Sequence, residues 1–317
     1  MELRTRLTRW ALARPHVLLV AAPGSTALRW DVEASLRQRG WSPAASPADA
    51  DLLLIAGEVG HELGAAVDLL WSQVPRPRHR THVADSADLE RGLDDAVVAL
   101  LADLADDADD MGADVAGLPM ADVAADRDGL DLDTLTIHLG PVLAGWPAGL
   151  VVSGSLQGDV LSGVEARVLD AHAGIEVLDH AGAGALHALD GLERFAVVAG
   201  WTAVARDAAW LRASLRADPE PAPATRQRAR RLLHRLRTSR TLRWSARDLR
   251  GTLERVHRWC DVVGAALDGD PRVGAVEPVP LADLPSLLGG LDLGSARLVI
   301  TSLPLDLAAT RDTAGDR

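Results

Sequence analysis

A seven-residue stretch, Asp51–Gly57 (DLLLIAG), limits the possible folds more than any other feature of the sequence. An apolar run of this length that ends at glycine is typical of a strand buried on both faces of a parallel sheet. A second apolar run, His16–Ala22, precedes it, and the turn Pro23–Ser25 and a segment with helical spacing, Leu28–Arg39, lie between the two. The order strand, helix, strand predicts a βαβ unit and therefore a parallel sheet.

The predicted sheet domain continues through two further helical segments. Apolar residues recur at helical spacing in Glu62–Gln73 and in Leu89–Leu104, and a proline-rich turn at Pro75–Pro77 separates them. The acidic run Asp103–Asp110 ends this pattern and is interpreted as a solvated helix end and loop. We therefore predict an α/β domain with a parallel sheet over residues 1–125.

A different pattern follows a connector rich in glycine and aspartate. Apolar and polar residues alternate in Leu132–Leu139, Gly149–Leu161 and Val164–Leu169, which predicts antiparallel strands. Helical spacing returns in Ala185–Leu215 and in Thr225–Leu267. We therefore predict that the second half is an α+β domain with an antiparallel hairpin and a helical bundle. This domain covers residues 126–317, with the hairpin at 130–170, the helical region at 185–268 and a tail at 290–317.

The single cysteine, Cys260, excludes several classes of site. One thiol cannot form an internal disulfide or a structural zinc site, and an iron–sulfur cluster usually needs about four thiolates. Trp259, Val262 and Val263 surround Cys260 in a segment with helical spacing. We therefore expect a buried, unreactive thiol.

The sequence carries no pattern typical of a membrane span or an export signal. A spanning helix needs about 20 apolar residues, whereas the longest apolar run, Val17–Pro23, has the length of a strand. Met1–Arg14 contains four arginines but neither a long apolar segment nor a cleavage site of small residues, so a secretory signal is not expected. We expect a cytoplasmic protein whose membrane association, if any, is peripheral.

Charge is distributed unevenly along the chain. The net charge is −12, yet Arg226–Arg258 holds twelve arginines against Asp248 and Glu254. Leu232 and Leu236 give this segment an apolar face, which predicts a docked amphipathic helix. A basic segment on an acidic chain needs a partner or an internal match. The candidate interaction residues are Arg230, Arg231, Arg235, Arg243, Trp244 and Arg247.

Three partners for the arginine-rich segment are considered. Another protein surface, or the acidic remainder of the same chain, is preferred, because arginine pairs with carboxylates through two hydrogen bonds. An anionic lipid surface is the second alternative. Nucleic acid is disfavoured, because the acidic remainder of the chain repels phosphate.

Other candidate sites have weaker patterns. The turn Pro23–Thr26 could hold a phosphate at a helix N-terminus, although it lacks the glycine-rich patterns of nucleotide-binding loops. Glu58 and His61 follow a predicted strand at its carboxyl end, where α/β sheets often bind ligands. A group of histidine and acidic residues could bind a metal ion, but its spacing matches no helical metal motif. We therefore prefer the interpretation that its histidines are ordinary surface residues. Its members would be His172, Glu176, Asp179, His180 and His187.

The residues around the first buried strand resemble a known family. Ser46–Gly57, followed by Val59 and then by Gln73–Pro77, resembles the central strand and following helix of the cluster-bearing subunit of respiratory complex I and of hydrogenase small subunits. The resemblance implies a flavodoxin-like fold for the first domain. It also implies positions for the four cysteines that hold an iron–sulfur cluster in these families.

None of those ligand positions holds a cysteine in this chain. Asp31–Glu33 matches the end of the family's first ligand motif, but Ala27 and Trp30 stand where the motif has cysteines. The region of the third ligand, His79–Asp85, has none, and Leu118 stands at the fourth ligand position. The resemblance therefore implies a domain that has the fold of the family but cannot hold an iron–sulfur cluster.

The second half resembles the start of the catalytic large subunit of complex I and of nickel–iron hydrogenases. Leu139–Pro141, Gly149–Val152 and Leu156–Val160 are similar to the antiparallel hairpin of that family, and Val142–Pro147 replaces the loop whose histidine approaches quinone in complex I. The tail Thr301–Ala309 is similar to the family's nickel-binding ending. In that tail Asp306 and Ala309 stand in place of cysteines.

The resemblance implies a fused small and large subunit without cofactors. The expected role is a non-catalytic scaffold in a complex I-like or hydrogenase-like assembly, placed on the inner face of the cell membrane. Its partners would be antiporter-like membrane subunits and other soluble subunits. Two alternatives remain open: an oxidoreductase module that uses a non-covalent flavin or quinone, and an assembly or regulatory factor.

Overall fold

The computed structural model describes residues 12–106, 122–125, 131–170, 183–270 and 276–306; for residues 105–106, 122–125, 131–133 and 306 it describes the backbone alone. The chain forms two compact units. The first consists of Met1–Met120 together with Pro141–Leu143 and Val168–Glu176. The remaining residues form the second, so the chain returns to the first unit twice.

A four-stranded parallel sheet forms the centre of the first unit. Its strand order is β2-β1-β3-β4. In β3 all five side chains are buried, which agrees with the apolar run DLLLIAG. Its register against β1 pairs Leu19 with Leu54. The four strands are β1 (His16–Ala21), β2 (Ser42–Pro43), β3 (Leu52–Ala56) and β4 (His79–Val83).

Three helices connect and flank these strands. Helix α1 (Thr26–Arg39) joins β1 to β2, α2 (His61–Gln73) joins β3 to β4, and α3 (Leu89–Asp106) follows β4. The predicted βαβ unit and parallel sheet are confirmed. Strand β4 (HRTHV) has no apolar pattern, because it lies at the edge of the sheet and buries only Val83 fully. The core of this unit includes Val17, Val32, Leu36, Leu52, Leu54, Leu93 and Leu100.

The second unit begins with an antiparallel sheet in the order β5-β6-β7-β8. The register of β6 against β7 pairs Ile137 with Gly154 and Leu139 with Val152. The predicted antiparallel strands are thus confirmed. The four strands are β5 (Asp122–Ala125), β6 (Asp131–Leu139), β7 (Leu150–Gln157) and β8 (Val160–Val168).

Five helices then build the main core of the second unit. Helices α4 and α5 pack closely, and α8 packs on α4 and on α6. The core contains Leu189, Phe195, Leu211, Leu236 and Trp259 among others. These helices confirm the predicted helical region. They are α4 (Ala183–Val198), α5 (Thr202–Ala217), α6 (Pro223–Thr238), α7 (Arg240–Ser245) and α8 (Thr252–Asp268).

Short elements complete the second unit. Two-residue strands β9 (Val279–Pro280) and β10 (Leu305–Asp306) pair in parallel, and helices α9 (Leu284–Leu288) and α10 (Leu293–Thr301) lie between them. Among the residues that the structure describes, no helix combines the length and the apolar character needed to cross a membrane.

Candidate functional site

The turn between β1 and α1 uses its own polar groups. The hydroxyl of Ser25 donates to the carbonyl oxygens of Ala22, at 2.6 Å, and of Ala56, at 3.0 Å. Ser25 is the residue before α1, but its side chain accepts no hydrogen bond from the helix. Next to it Gly57 has a φ of +86°, and a Cβ there would lie 2.5 Å from that of Ser25. The hydroxyl that a phosphate would contact therefore stabilises the carboxyl edge of the sheet instead.

The N-terminus of α2 is occupied by a carboxylate of the chain itself. Asp170 accepts hydrogen bonds from the backbone N–H groups of Glu62, at 3.2 Å, and Leu63, at 2.9 Å. Free N–H groups at a helix start attract anions, and here the anion is an internal side chain. Glu58 and His61, the candidates at this edge, are both exposed.

The positions that resemble cofactor ligands hold ordinary structural residues. Ala27 lies in the first turn of α1, and Trp30, one turn later, is buried. Trp146, in the segment that sequence analysis compared with the quinone-approaching loop, is also buried and donates from Nε1 to the carbonyl oxygen of Leu150 at 2.8 Å. Asp306 ends β10, whereas Leu118 and Ala309 lie outside the described residues.

The remaining sulfur and imidazole candidates do not meet in the described part of the chain. Cys260 lies in α8 with no exposed surface, and burial raises the pKa of its thiol to about 12. The expectation of a buried thiol is therefore confirmed. His187 lies exposed on α4. The other members of that metal set, His172, Glu176, Asp179 and His180, fall outside the described residues.

Several arginines of α6 pair with acidic residues of neighbouring helices. Arg230 lies 3.0 Å from Asp268, and Arg237 lies 2.7 Å from Asp261. Arg235 approaches the carboxylate of Asp207 to 4.0 Å. Carboxylates of the helical bundle thus pair with part of the basic segment, which is one of the partners considered for it in the sequence analysis.

The segment Arg240–Arg250, here called the arginine–tryptophan loop, has a different environment. It contains α7, whose N-terminus is capped by Ser239: the side-chain oxygen accepts from the N–H of Leu242 at 3.1 Å. Leu242 and Ala246 are buried and attach the loop to the core of the second unit. The side chain between them in sequence, Trp244, is 80% exposed. A tight cap and two buried anchors therefore hold an indole ring in solvent.

The arginines around Trp244 have no acidic partner within the described residues. All four of them are exposed, and no ion pair joins any of them to a described carboxylate. The only acidic residue in the loop is Asp248, so the loop carries three surplus positive charges. The four residues are Arg240, Arg243, Arg247 and Arg250.

No family model, characterised protein or solved structure matches the chain. The arginine–tryptophan loop is the site that its geometry favours, because a large exposed aromatic side chain surrounded by unpaired charge is unusual on a folded surface. Sequence analysis named Arg243, Trp244 and Arg247 but missed Arg240 and Arg250. The spacing of four residues between Arg240 and Trp244 on one helix would have identified Arg240.

Proposed function

We propose that the protein is a non-catalytic scaffold subunit that docks through its arginine–tryptophan loop onto an acidic protein surface. The assembly would be a membrane-associated complex related to complex I and the membrane-bound nickel–iron hydrogenases. The chain would occupy the place of the small and large subunits on the inner face of the membrane. Antiporter-like membrane subunits are the partners proposed for it.

The exposure of Trp244 is the observation on which the docking role rests. Tryptophan and arginine are the residues that most often dominate binding energy at protein interfaces, where loss of one such anchor costs about 2 kcal/mol or more. An ordered backbone also loses less conformational entropy on binding than a mobile one. The Ser239 cap and the buried Leu242 hold the backbone that carries Trp244.

Charge favours an acidic protein over an anionic membrane as the partner. Each arginine near an anionic bilayer contributes about 1 kcal/mol, and the loop has four arginines and one aspartate. The whole chain, however, carries a net charge of −12, which such a bilayer repels. A protein surface can place carboxylates opposite individual guanidinium groups, so the loop fits it better.

The fold supports the proposed relationship to complex I and the hydrogenases, but it does not identify an activity. The parallel order β2-β1-β3-β4 agrees with the first four strands of a flavodoxin-like sheet. An antiparallel hairpin and a helical bundle follow in the chain order expected for a fused large subunit. Since one fold serves many functions, this agreement supports a place in the assembly rather than a reaction.

Site-specific crosslinking would test the docking role. We would place a photoreactive amino acid at the exposed position 241, on the same helix as Trp244, and irradiate the protein in membranes from its own cells. The expected product joins position 241 to an acidic segment of an antiporter-like subunit, in a complex of fixed stoichiometry. The purified chain would carry no flavin, quinone or metal.

A matched pair of variants makes this test specific. Arg243→Gln with Arg247→Gln removes two charges from the loop and should abolish the crosslink. Arg226→Gln with Arg258→Gln removes two charges from exposed positions outside the loop and should preserve it. Flotation of the purified chain with anionic vesicles that is lost when Arg243→Gln and Arg247→Gln are introduced together, or a native chain that carries its own redox cofactor, would overturn the proposal.

A further inference from the structure

A groove of about 410 Å³ lies between α5 and α6. Its size falls in the range of about 300 to 1,000 Å³ that is typical of small-molecule sites. The groove is strongly basic, since three arginines line it and only one acidic residue does. Its lining residues are Asp207, Arg228, Arg231, Leu232 and Arg235.

Two of the three guanidinium groups approach one carboxylate. Asp207 accepts two hydrogen bonds from Arg228, from Nε at 3.1 Å and from Nη2 at 2.7 Å. Its second oxygen lies 4.0 Å from Nη1 of Arg235. Arg231 forms no ion pair with any carboxylate among the described residues. The groove therefore has a surplus of two positive charges.

One arginine of the groove, Arg228, is held in place by packing. The guanidinium of Arg228 lies 4.0 Å from the ring centroid of Trp210, a cation–π contact that fixes its plane. Arg228, Arg231 and Arg235 are spaced by three and four residues on α6, so they share one face of the helix. Arg228 is thus held beside two exposed arginines that a ligand can reach.

The adjacent groove shows that the charge surplus is local. It has a volume of about 320 Å³, lies between α6 and α8, and includes Arg230, Arg237 and Asp268. There Arg230 pairs with Asp268 and Arg237 with Asp261. Its arginines are balanced one for one, so of these two grooves only the α5–α6 groove offers unmatched cations.

We propose that the α5–α6 groove binds the phosphate group of a phosphate monoester. A monoester phosphate carries close to two negative charges at neutral pH, which matches the surplus. Its oxygens accept paired hydrogen bonds from guanidinium groups, and Arg231 and Arg235 both line the groove. A soluble metabolite and a lipid headgroup are the two sources of such a phosphate, and both present the same dianion to the groove.

Calorimetric titration of the purified chain with inorganic phosphate would test the site. Sodium chloride at equal ionic strength provides the background, since simple screening acts for any salt. We expect saturable binding of phosphate above that background. Asp207→Asn should tighten it several-fold, because the competing carboxylate is removed. The absence of saturable binding, or weaker binding in Asp207→Asn, would overturn the proposal.

Two double variants with the same change in net charge locate the site. Arg231→Gln with Arg235→Gln should weaken phosphate binding at least ten-fold, and both side chains are exposed, so the fold should survive. Arg243→Gln with Arg247→Gln, in the arginine–tryptophan loop, should leave it unchanged. Equal losses in the two would mean that net charge alone attracts phosphate, and the proposal would fail.

Two further titrations identify the source of the phosphate. Glycerol 3-phosphate represents a soluble ester, and phosphatidylcholine vesicles containing phosphatidic acid represent a lipid headgroup. If the chain binds one of these ligands, and the variant with Arg231→Gln and Arg235→Gln does not, that ligand identifies the source of the phosphate. If the chain binds neither ligand, the proposal is overturned. Because the loop variant is the control here, the docking role and the phosphate site succeed or fail separately.

Discussion

Arg212 donates a hydrogen bond to Asp190 across 2.8 Å in the helical bundle, and the two side chains are only 1% and 4% exposed. Arg212 also contacts Glu193, and Arg194 lies 3.1 Å from the second oxygen of Asp190. The second unit therefore contains a cluster of two carboxylates and two guanidinium groups, in which Asp190 and Arg212 are buried and Glu193 and Arg194 are partly exposed. Such clusters tolerate the loss of a member poorly, because an unmatched charge then remains in a dry environment.

Replacement of the central arginine should destabilise the bundle strongly. Arg212→Ala removes the guanidinium that contacts both Asp190 and Glu193, and we expect the free energy of unfolding to fall by about 3 to 5 kcal/mol. Chemical denaturation measures this value. Arg230→Ala is the control, because Arg230 and Asp268 are mostly exposed and such pairs contribute about 0 to 1 kcal/mol. Similar losses for the two variants would contradict the prediction.

Two glycines in helices should respond to alanine in opposite directions. A Cβ at Gly191 in α4 would lie 2.6 Å from a ring carbon of Trp259, so Gly191→Ala should destabilise the protein by about 1 to 3 kcal/mol through overpacking. At Gly264 in α8 the nearest atom would lie at 3.7 Å, an ordinary contact. Gly264→Ala should therefore stabilise the protein by about 0.5 to 1 kcal/mol through helix propensity. Thermal unfolding would show the difference in sign.

The sequence predicts the elements of this fold better than the contacts between them. The apolar run of β3 identifies a buried strand because all five of its side chains lie inside the sheet. Strand β4 cannot be predicted from an apolar run, since an edge strand needs few apolar residues. The Asp170 cap of α2 comes from 108 residues along the chain, and no local pattern indicates it.

The candidate site shows the same limit. Composition alone identifies the arginine-rich segment, and spacing predicts its apolar face. Which arginines find a partner depends on where Asp207, Asp261 and Asp268 lie after the helices pack. Exposure of Trp244 is likewise a tertiary property, because a tryptophan on a helix is more often buried.

The N-terminal cap of α10 should give a pH-dependent contribution to stability. Asp292 accepts a hydrogen bond from the N–H of Ser295 at 2.9 Å, and bonds from the Ser295 hydroxyl and backbone lower the pKa of Asp292 below its ordinary value of 3.8. A lowered folded-state pKa means that the stabilisation is complete above pH 3.8 and is lost as the pH falls through the folded value.

Asp292→Ala should consequently lower the free energy of unfolding by about 1 kcal/mol at pH 7, with a smaller difference from the unmodified protein below about pH 4. Urea denaturation across this pH range measures the effect. Asp292→Asn is a suitable comparison, because asparagine caps helices well but does not titrate in this range. If the difference in the free energy of unfolding between Asp292→Ala and the unmodified protein stayed constant down to about pH 2, ionisation of Asp292 would not be involved.

The thiol of Cys260 should be inert in the folded protein. Its pKa of about 12, raised by burial against the smaller opposing effect of Arg237, leaves about one thiolate in ten thousand at pH 8. The side chain also has no exposed surface for a reagent to reach. We expect no labelling by iodoacetamide in native conditions and complete labelling in denaturant, as measured by mass spectrometry.

A cysteine at an exposed position calibrates that experiment. Ala224→Cys, combined with Cys260→Ala, places a thiol on the exposed first turn of α6 and should be labelled rapidly in the folded protein. If Cys260 instead reacted at a comparable rate without denaturant, helix α8 would not pack as described. Labelling of Cys260 that is slow and accelerates with sub-denaturing urea would report opening of the bundle, because the reagent can reach the thiol only when α8 separates from its neighbours.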